Sequence, residues 1–194
     1  MKRFISTILL LFIASSAIFA QTDDYYGDVY EDDYVYEQNG AGDNFIKINL
    51  NLQFPLNFDK QLHTGGAIEL GYYKFLNSWL AVGGELNASY NVSIGNKVLV
   101  MLPLLGGVMF QPTYDKFEFP IFVNIGMGYE TWQNIDYFPS LIFKLSGGAY
   151  YRLNEACSFG LNLDYMLMPQ FIEDSSLNFA GNFLSLSIGA RYHF

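Results

Sequence analysis

The sequence predicts an all-β protein: an eight-stranded antiparallel up-and-down transmembrane β-barrel, with an N-terminal signal peptide and a disordered acidic tail. Three observations support this fold class. Apolar and polar residues alternate along most of the chain from Phe45 onward, which indicates strands with one apolar and one polar face. The composition is 51% hydrophobic and only 15% charged, unusual values for a soluble protein of this size. The polar face carries mostly Asn, Ser and Gly, which suits an enclosed interior better than a water-exposed surface.

The first 20 residues predict a secretory signal peptide. Two basic residues precede an apolar run that ends in small residues, and this order is typical of such peptides. Cleavage after Ala20 is one expectation. Cleavage after Ala17 is the alternative, because cleavage after Ala20 would put Ile18 at the −3 position, where a small residue is preferred. We assign residues 1–20 to the signal peptide.

Residues 21–43 predict an acidic, Tyr-rich tail on the periplasmic side of the barrel. This segment contains no Lys or Arg and shows no usable periodicity, as expected of a disordered segment. Its acidic residues do not follow the regular ligand spacing of a calcium loop. The remaining residues, 44–194, are assigned to the outer membrane β-barrel.

Eight alternating runs predict the barrel strands in order. The first three and the last four set apolar side chains opposite polar or charged ones, whereas the fourth is apolar on both faces. The runs cover residues 44–58, 62–75, 79–92, 97–111, 116–129, 140–152, 156–168 and 182–194. Short turns follow the second, fourth and sixth runs, and the longer connections 129–139 and 169–182 follow the fifth and seventh. This spacing is typical of an up-and-down barrel.

The polar face carries equal numbers of basic and acidic residues. We predict that they form a charge network in the barrel lumen, because an unpaired charge in an enclosed interior costs several kcal/mol. Lys47, Glu118, Arg152 and Arg191 are expected near the short-turn end. Glu69, Glu85, Lys144 and Asp164 are expected nearer the middle.

Aromatic residues on the apolar face help to decide which way that face points. A soluble carrier barrel would be apolar inside, and a membrane barrel is apolar outside with aromatic girdles at both interfaces. The aromatic residues fall at strand ends: Tyr72, Tyr90, Phe117, Tyr129, Tyr151, Tyr165, Tyr192 and Phe194. The membrane orientation is therefore predicted.

The chain ends in Phe194, preceded at two-residue intervals by Tyr192, Ala190 and Ile188. This ending resembles the terminal strand signal of bacterial outer membrane proteins. Over residues 44–194 the pattern resembles small eight-stranded barrels of the OmpA membrane-domain, OmpX and OmpW kind. The resemblance implies the cell outer membrane of a diderm bacterium, contact with membrane lipid, and recognition of these four residues by the barrel assembly machinery.

No catalytic, cofactor or metal site is predicted, and we do not expect an enzyme. His63 and His193 are expected at opposite ends of the barrel, His193 at the periplasmic rim, so they could not share a metal. Cys157 has no partner cysteine, so it cannot form an internal disulfide. The chain also lacks the basic stripe of a nucleic-acid-binding protein.

The leading functional hypothesis is a structural or surface-interaction protein with a plugged lumen. An eight-stranded barrel is just wide enough inside for side chains, and loops 129–139 and 169–182 would contact an external ligand. The alternative, which the OmpW resemblance implies, is a narrow channel for small hydrophobic molecules. Inward-facing apolar residues of the fourth strand favour that alternative: Leu99, Met101, Leu105 and Met109.

Overall fold

The computed structural model describes residues 39–58, 61–132, 135–171 and 179–194. Within these ranges the chain forms ten strands: β1 (Asn44–Pro55), β2 (Gly65–Phe75), β3 (Leu80–Val92), β4 (Val98–Phe110), β5 (Thr113–Tyr114), β6 (Phe117–Glu118), β7 (Ile121–Trp132), β8 (Ile135–Arg152), β9 (Cys157–Pro169) and β10 (Ala180–His193). No helix in the described part of the chain has the length and apolar character needed to cross a bilayer. The predicted signal peptide, and the predicted tail up to residue 38, lie outside these residues.

Eight long strands form a closed antiparallel barrel. Their order around the barrel is β1, β2, β3, β4, β7, β8, β9 and β10, and β10 returns to pair with β1. The closing register runs from Phe45 opposite His193 to Pro55 opposite Phe183. Because each long strand has a partner on both sides, backbone polar groups are paired within the sheet, which is the condition for a strand to cross lipid. The prediction of an all-β, eight-stranded antiparallel barrel is confirmed.

The connections divide the barrel into two ends. At what we call the loop end, β1, β3, β7 and β9 finish and β2, β4, β8 and β10 begin. At the turn end lie 76–79, 111–120 and 153–156, together with the start of β1 and the finish of β10. The two ends of the barrel are therefore formed by different sets of connections.

The alternation along each strand separates an apolar outer face from a more polar inner face. On β1, Lys47 and Asn49 are each 1% exposed, whereas their neighbours Ile48 and Leu50 are 40% and 56% exposed. Successive side chains of a strand point to opposite faces, so the same division runs around the whole barrel. At the turn end the outer face carries aromatic contacts, including Tyr72 with Phe194 at 6.5 Å and Phe117 with Tyr151 at 5.3 Å.

The fifth predicted strand, 116–129, is interrupted in the structure. Residues 113–118 form a small β5–β6 hairpin, and β7 begins only at Ile121. Pro120 stands between β6 and β7 and has no N–H to donate to a ladder. The predicted strand therefore combined part of a turn-end hairpin with the true β7.

The predicted loop 129–139 is mostly strand. β7 continues to Trp132 and β8 begins at Ile135, with Thr131 opposite Asp136. Aromatic and β-branched residues dominate this stretch, and such residues favour strands. The other predicted loop, 169–182, is shorter than expected because β9 extends to Pro169 and β10 begins at Ala180.

Candidate functional site

Four charged side chains meet in the middle of the lumen and form what we call the charged cluster: Lys47, Glu69, Glu85 and Lys144. Lys47 Nζ lies 2.8 Å from Glu69 Oε1 and 2.5 Å from Glu85 Oε2. Lys144 Nζ lies 3.0 Å from Glu85 Oε1 and also forms an ion pair with Glu69. None of the four is more than 4% exposed. Two positive charges thus balance two negative charges away from water.

Amide side chains complete the charged cluster. Asn49 Nδ2 donates to Glu69 Oε1 at 2.9 Å, and Asn124 Nδ2 donates to Glu85 Oε1 at 2.5 Å. A buried ion pair is favourable only when hydrogen bonds also satisfy its remaining polar atoms. These two donors are therefore part of what makes the cluster tolerable inside the barrel.

Lys47 is the fourth residue of β1, so its backbone lies near the turn end. Its side chain extends from β1 toward the middle of the lumen and joins the charged cluster, rather than the charges near the turn end. Gly71, its register partner on β2, makes this path available: a Cβ at Gly71 would lie only 2.6 Å from Lys47 Cε. A long side chain beside a glycine can therefore place its charge well away from its own Cα.

A second group of charges lies closer to the turn end. Arg152 Nη1 contacts Glu118 Oε1 at 2.8 Å, and Arg191 Nη1 contacts Glu118 Oε2 at 3.4 Å. The Arg191 guanidinium also lies 3.6 Å from the ring centroid of Tyr150. One carboxylate thus serves two guanidinium groups, and an aromatic face supports the second of them.

Asp164, the eighth residue of the predicted network, lies within electrostatic range of Lys144 in the charged cluster. It is 3% exposed and lies on β9 opposite Ser146 of β8 and Ser185 of β10. It takes part in none of the ion pairs found among the described residues. All eight predicted charges therefore face the lumen, but ion pairs join seven of them into two separate groups.

At the turn-end mouth of the barrel Asn39 contacts a lumen charge, whereas residues 41–43 are exposed. Asn39 is 2% exposed, and its Oδ1 accepts a hydrogen bond from Arg152 Nη1 at 3.1 Å. His193 is 6% exposed, with Ser158 Oγ 3.1 Å from its Nε2. His193 is the last residue of β10 and so lies at the turn end, where its ring is turned inward and buried.

Two apolar layers lie on either side of the charged cluster. The layer toward the turn end consists of Phe45, Tyr73, Phe75, Ala81, Met109 and Phe122. The layer toward the loop end consists of Leu62, Met101, Leu105, Ile142, Met166, Met168 and Phe183. Most of these residues were not assigned to the lumen from sequence. The sequence did contain a signal for their direction, because residues two positions apart on a strand face the same side. Phe45 lies two positions from inward-facing Lys47, and Tyr73 lies two positions from inward-facing Gly71.

Above the loop-end apolar layer is an open cavity of about 340 Å³. Its walls include Leu99, Met101, Trp132 and Phe183, together with Glu130. Sequence analysis placed Leu99 and Met101 on the inner face, and the structure places them there. Glu130 was not predicted to face the lumen, because the fifth predicted strand stops three residues before the end of β7.

The residues of the predicted assembly signal lie on the outer face of β10 and at its end. Ile188, Tyr192 and Phe194 are 61%, 45% and 56% exposed. The Phe194 backbone exchanges two hydrogen bonds of 2.9 Å with Asn44, so the last residue is tied to the first residue of β1.

Among the described residues, no group of three or more His, Cys, Asp or Glu side chains could hold a metal ion.

Solved structures with the same fold are small eight-stranded outer membrane barrels. Neisserial surface protein A is similar with a TM-score of 0.62 and 10% identity, over 79% of this chain and 99% of that chain. Ail, the attachment invasion locus protein of Yersinia pestis, is similar with a TM-score of 0.55 and 12% identity, over the same shares. Its complex with the heparin analogue sucrose octasulfate gives a TM-score of 0.53 and 13% identity, again over 79% and 99%.

At these identities the likeness shows the fold alone. A protein-family model matches residues 22–192 of the chain. No curated protein sequence matches it.

Proposed function

We propose that this chain, which belongs to the protein family whose model matches residues 22–192, is an integral protein of the bacterial outer membrane. In this proposal the barrel is a non-conducting scaffold, and its loop end contacts molecules at the cell surface. The single observation that carries the proposal is the charged cluster, in which Lys144 and Glu69 pair across the lumen.

The outer face supports a membrane location. Aliphatic side chains at the middle of the strands are about half exposed, as for Leu50 at 56%, Leu70 at 51% and Leu161 at 56%. A soluble protein rarely exposes one continuous apolar surface of this kind. Hydrocarbon is the surrounding that such a surface requires, and the similar folds are those of outer membrane proteins.

The lumen supports a scaffold rather than a pore. An ion crossing the barrel would have to lose its water and break pairs between buried lysines and glutamates, which is costly in a low-dielectric interior. It would also have to pass an apolar layer on each side of the charged cluster. An eight-stranded barrel leaves little further width for a second path.

Planar-bilayer recording tests the non-conducting scaffold. Purified wild-type protein reconstituted into a bilayer is expected to give no resolvable single-channel openings, whereas a sixteen-stranded porin in the same bilayer gives a steady conductance. Reproducible openings of the wild-type barrel would overturn this part of the proposal.

Cysteine labelling tests the orientation. In a Cys157→Ser background, Gln61→Cys places a thiol at the exposed loop end, and Ser78→Cys places one at the exposed turn end. A membrane-impermeant maleimide added to intact cells is expected to label position 61 and to leave position 78 unlabelled until the cells are broken. The reverse pattern would invert the orientation, and labelling of neither thiol in broken cells would contradict exposure of these residues.

A surface-interaction role is the further part of the proposal. Two proteins of similar structure are named as a surface protein and an attachment invasion locus protein, and these names describe such roles for those proteins. For this chain the role is tested by comparing how wild-type and deletion cells bind to immobilised host-cell or matrix surfaces. Equal binding by the two cell types would remove it.

A narrow conduit for small hydrophobic molecules is the second candidate. The apolar side chains of Leu99, Met101 and Leu105 favour it, because they face inward along β4 from the wall of the cavity into the loop-end apolar layer. Uptake of a hydrophobic fluorescent dye into liposomes should then rise when the barrel is present. Unchanged uptake would remove this candidate and leave the scaffold.

A further inference from the structure

Asp164 lies buried in the lumen without an ion pair of its own. It is 3% exposed, and it takes part in none of the ion pairs among the described residues. The residues opposite it on the neighbouring strands, Ser146 on β8 and Ser185 on β10, are uncharged. An ionised carboxylate at this position would therefore lack the adjacent cation that makes a buried charge tolerable.

The charged groups nearest to Asp164 already balance one another. Asp164 interacts electrostatically with Lys144, Glu69 and Lys47, which belong with Glu85 to the charged cluster. In that cluster each lysine pairs with both glutamates, so two positive charges meet two negative ones. If Asp164 were also ionised, the middle of the lumen would hold three carboxylates against two lysines, with one negative charge in excess.

The surplus positive charge at the turn end is too distant to neutralise Asp164. Arg191 stands six positions along β10 from Ser185, the register partner of Asp164, which corresponds to about 20 Å at about 3.3 Å per residue. Attraction between charges is weak at that separation. The Arg191 guanidinium also stacks on Tyr150, 3.6 Å from the ring centroid. Toward the loop end, the inner face of β9 continues with Met166 and then Met168, which carry no charge.

A proton removes the excess charge, and Asp164 is the residue best placed to carry it. Protonation of Glu69 or Glu85 would weaken two ion pairs, whereas protonation of Asp164 weakens none. The Ser146 hydroxyl opposite Asp164 has no hydrogen-bond partner among the described residues. Its oxygen can therefore accept a hydrogen bond from a neutral carboxylic acid.

We propose that Asp164 is a proton-binding site of the lumen, occupied at neutral pH in the folded barrel and emptied as the pH rises. An aspartate of the unfolded chain is ionised at neutral pH, so folding takes up one proton and the barrel loses stability as the pH increases. The site goes beyond the proposed scaffold role and depends only on the folded barrel. Its success or failure is therefore separate from the conductance and surface-binding results.

Infrared spectroscopy detects the proton directly. Wild-type barrel in ether-linked phosphatidylcholine, which has no ester carbonyl, is expected to show the carbonyl stretching band of a protonated carboxylic acid at neutral pH. Labelling of the aspartate side-chain carboxyl with ¹³C should shift this band, and Asp164 is the buried aspartate of the described residues. Asp164→Asn should lose the band. Glu155→Gln, which removes an exposed acid at the turn end, should keep it.

Unfolding measured against pH detects the linkage. Between about pH 6 and about pH 8 in urea, the unfolding equilibrium constant of the wild type is expected to rise relative to that of Asp164→Asn. The rise approaches about tenfold per pH unit, because one proton is released on unfolding. Both proteins contain the two histidines, so their titration cancels in the comparison. Asp164→Ser, which also cannot ionise, is the second variant, and the amide I band of the sheet establishes that each variant is folded.

Four results would overturn the proposal. The first is a folded wild type without the band; if the band then appeared in Lys60→Gln, the partner of Asp164 would be Lys60, a base outside the described residues. The second is a band that survives in a folded Asp164 variant. The third is the same pH dependence of unfolding in the wild type and both variants. The fourth is stabilisation of the wild type by sodium chloride but not by choline chloride, which would assign a metal cation to the site instead of a proton.

Discussion

Lys144 on β8 forms an ion pair with Glu69 on β2, the strand that lies four positions away in either direction around the barrel. The pair therefore crosses the full width of the lumen and ties opposite walls together. Neighbouring strands are already joined by backbone hydrogen bonds, but nothing in a ladder connects opposite strands. The charged cluster supplies that connection, and its energetic weight can be measured.

Removing one lysine should leave the charged cluster with an uncompensated carboxylate. We expect Lys144→Met to lower the free energy of unfolding by about 3 kcal/mol, since breaking a buried pair strands a charge. Lys144→Met combined with Glu69→Gln should cost less than the sum of the two single changes. Urea unfolding in lipid vesicles gives these values. Lys74→Met, at an exposed position, is the control, and an equal loss there would contradict the role of the cluster.

Gly189 leaves space for side chains that cross the lumen. A Cβ at this position would lie 2.5 Å from the Tyr150 hydroxyl and would also overlap Asn49. Gly189→Ala is therefore expected to destabilise the barrel by about 1–3 kcal/mol, the usual cost of overpacking. A Cβ at Gly147 meets nothing within 4 Å, so Gly147→Ala should be neutral or slightly stabilising in the same unfolding measurement. Equal effects of the two substitutions on stability would show that tight packing around Gly189 does not matter for the stability of the barrel.

If the apolar outer face lies in a membrane, the free-energy cost of an arginine on that face should depend on its height along the barrel. Leu50 in the middle of β1 and Leu153 in the β8–β9 turn are almost equally exposed, at 56% and 57%. Leu50→Arg should cost about 2–4 kcal/mol in vesicles, and Leu153→Arg should cost no more than about 1 kcal/mol. Unfolding free energies of the two variants provide the comparison. Equal costs would argue against hydrocarbon around the middle of the barrel.

The C-terminal aromatic residue should matter more for assembly than for stability. Phe194 is exposed on the outer face, and its backbone pairs with Asn44 whatever its side chain. We expect Phe194→Ala to reduce the amount of barrel in isolated outer membranes several-fold, while unfolding of refolded protein changes by only about 1 kcal/mol. Phe119→Ala, also exposed near the turn end, is the control. Similar losses for both variants would remove the assembly-signal interpretation.

The barrel was predictable because lipid and lumen impose opposite demands on adjacent residues. Apolar and polar residues therefore alternate along each strand, and this alternation predicts the correct faces for Lys47, Ile48 and Asn49. The same parity, continued one residue further on β7, would have placed Glu130 inside. The strand was instead ended at Tyr129, because the aromatic residues that follow were interpreted as a loop.

The contents of the lumen were less predictable than its walls. Parity gives the direction of a side chain but not its reach, and Lys47 extends past Gly71 into the middle of the barrel. Inward-facing Phe45 and Phe122 also break the simple rule that apolar residues face lipid. Which side chains meet across the lumen depends on the relative heights of strands that are far apart in sequence, and no local pattern records those heights.

The pairing of β1 with β10 has a consequence for how the protein is made. β1 and β10 each gain a second neighbouring strand only when they pair with each other, so the whole chain must be synthesised before the barrel can close. Until then two unpaired edges are open to partners on other molecules, and such edges are prone to aggregation.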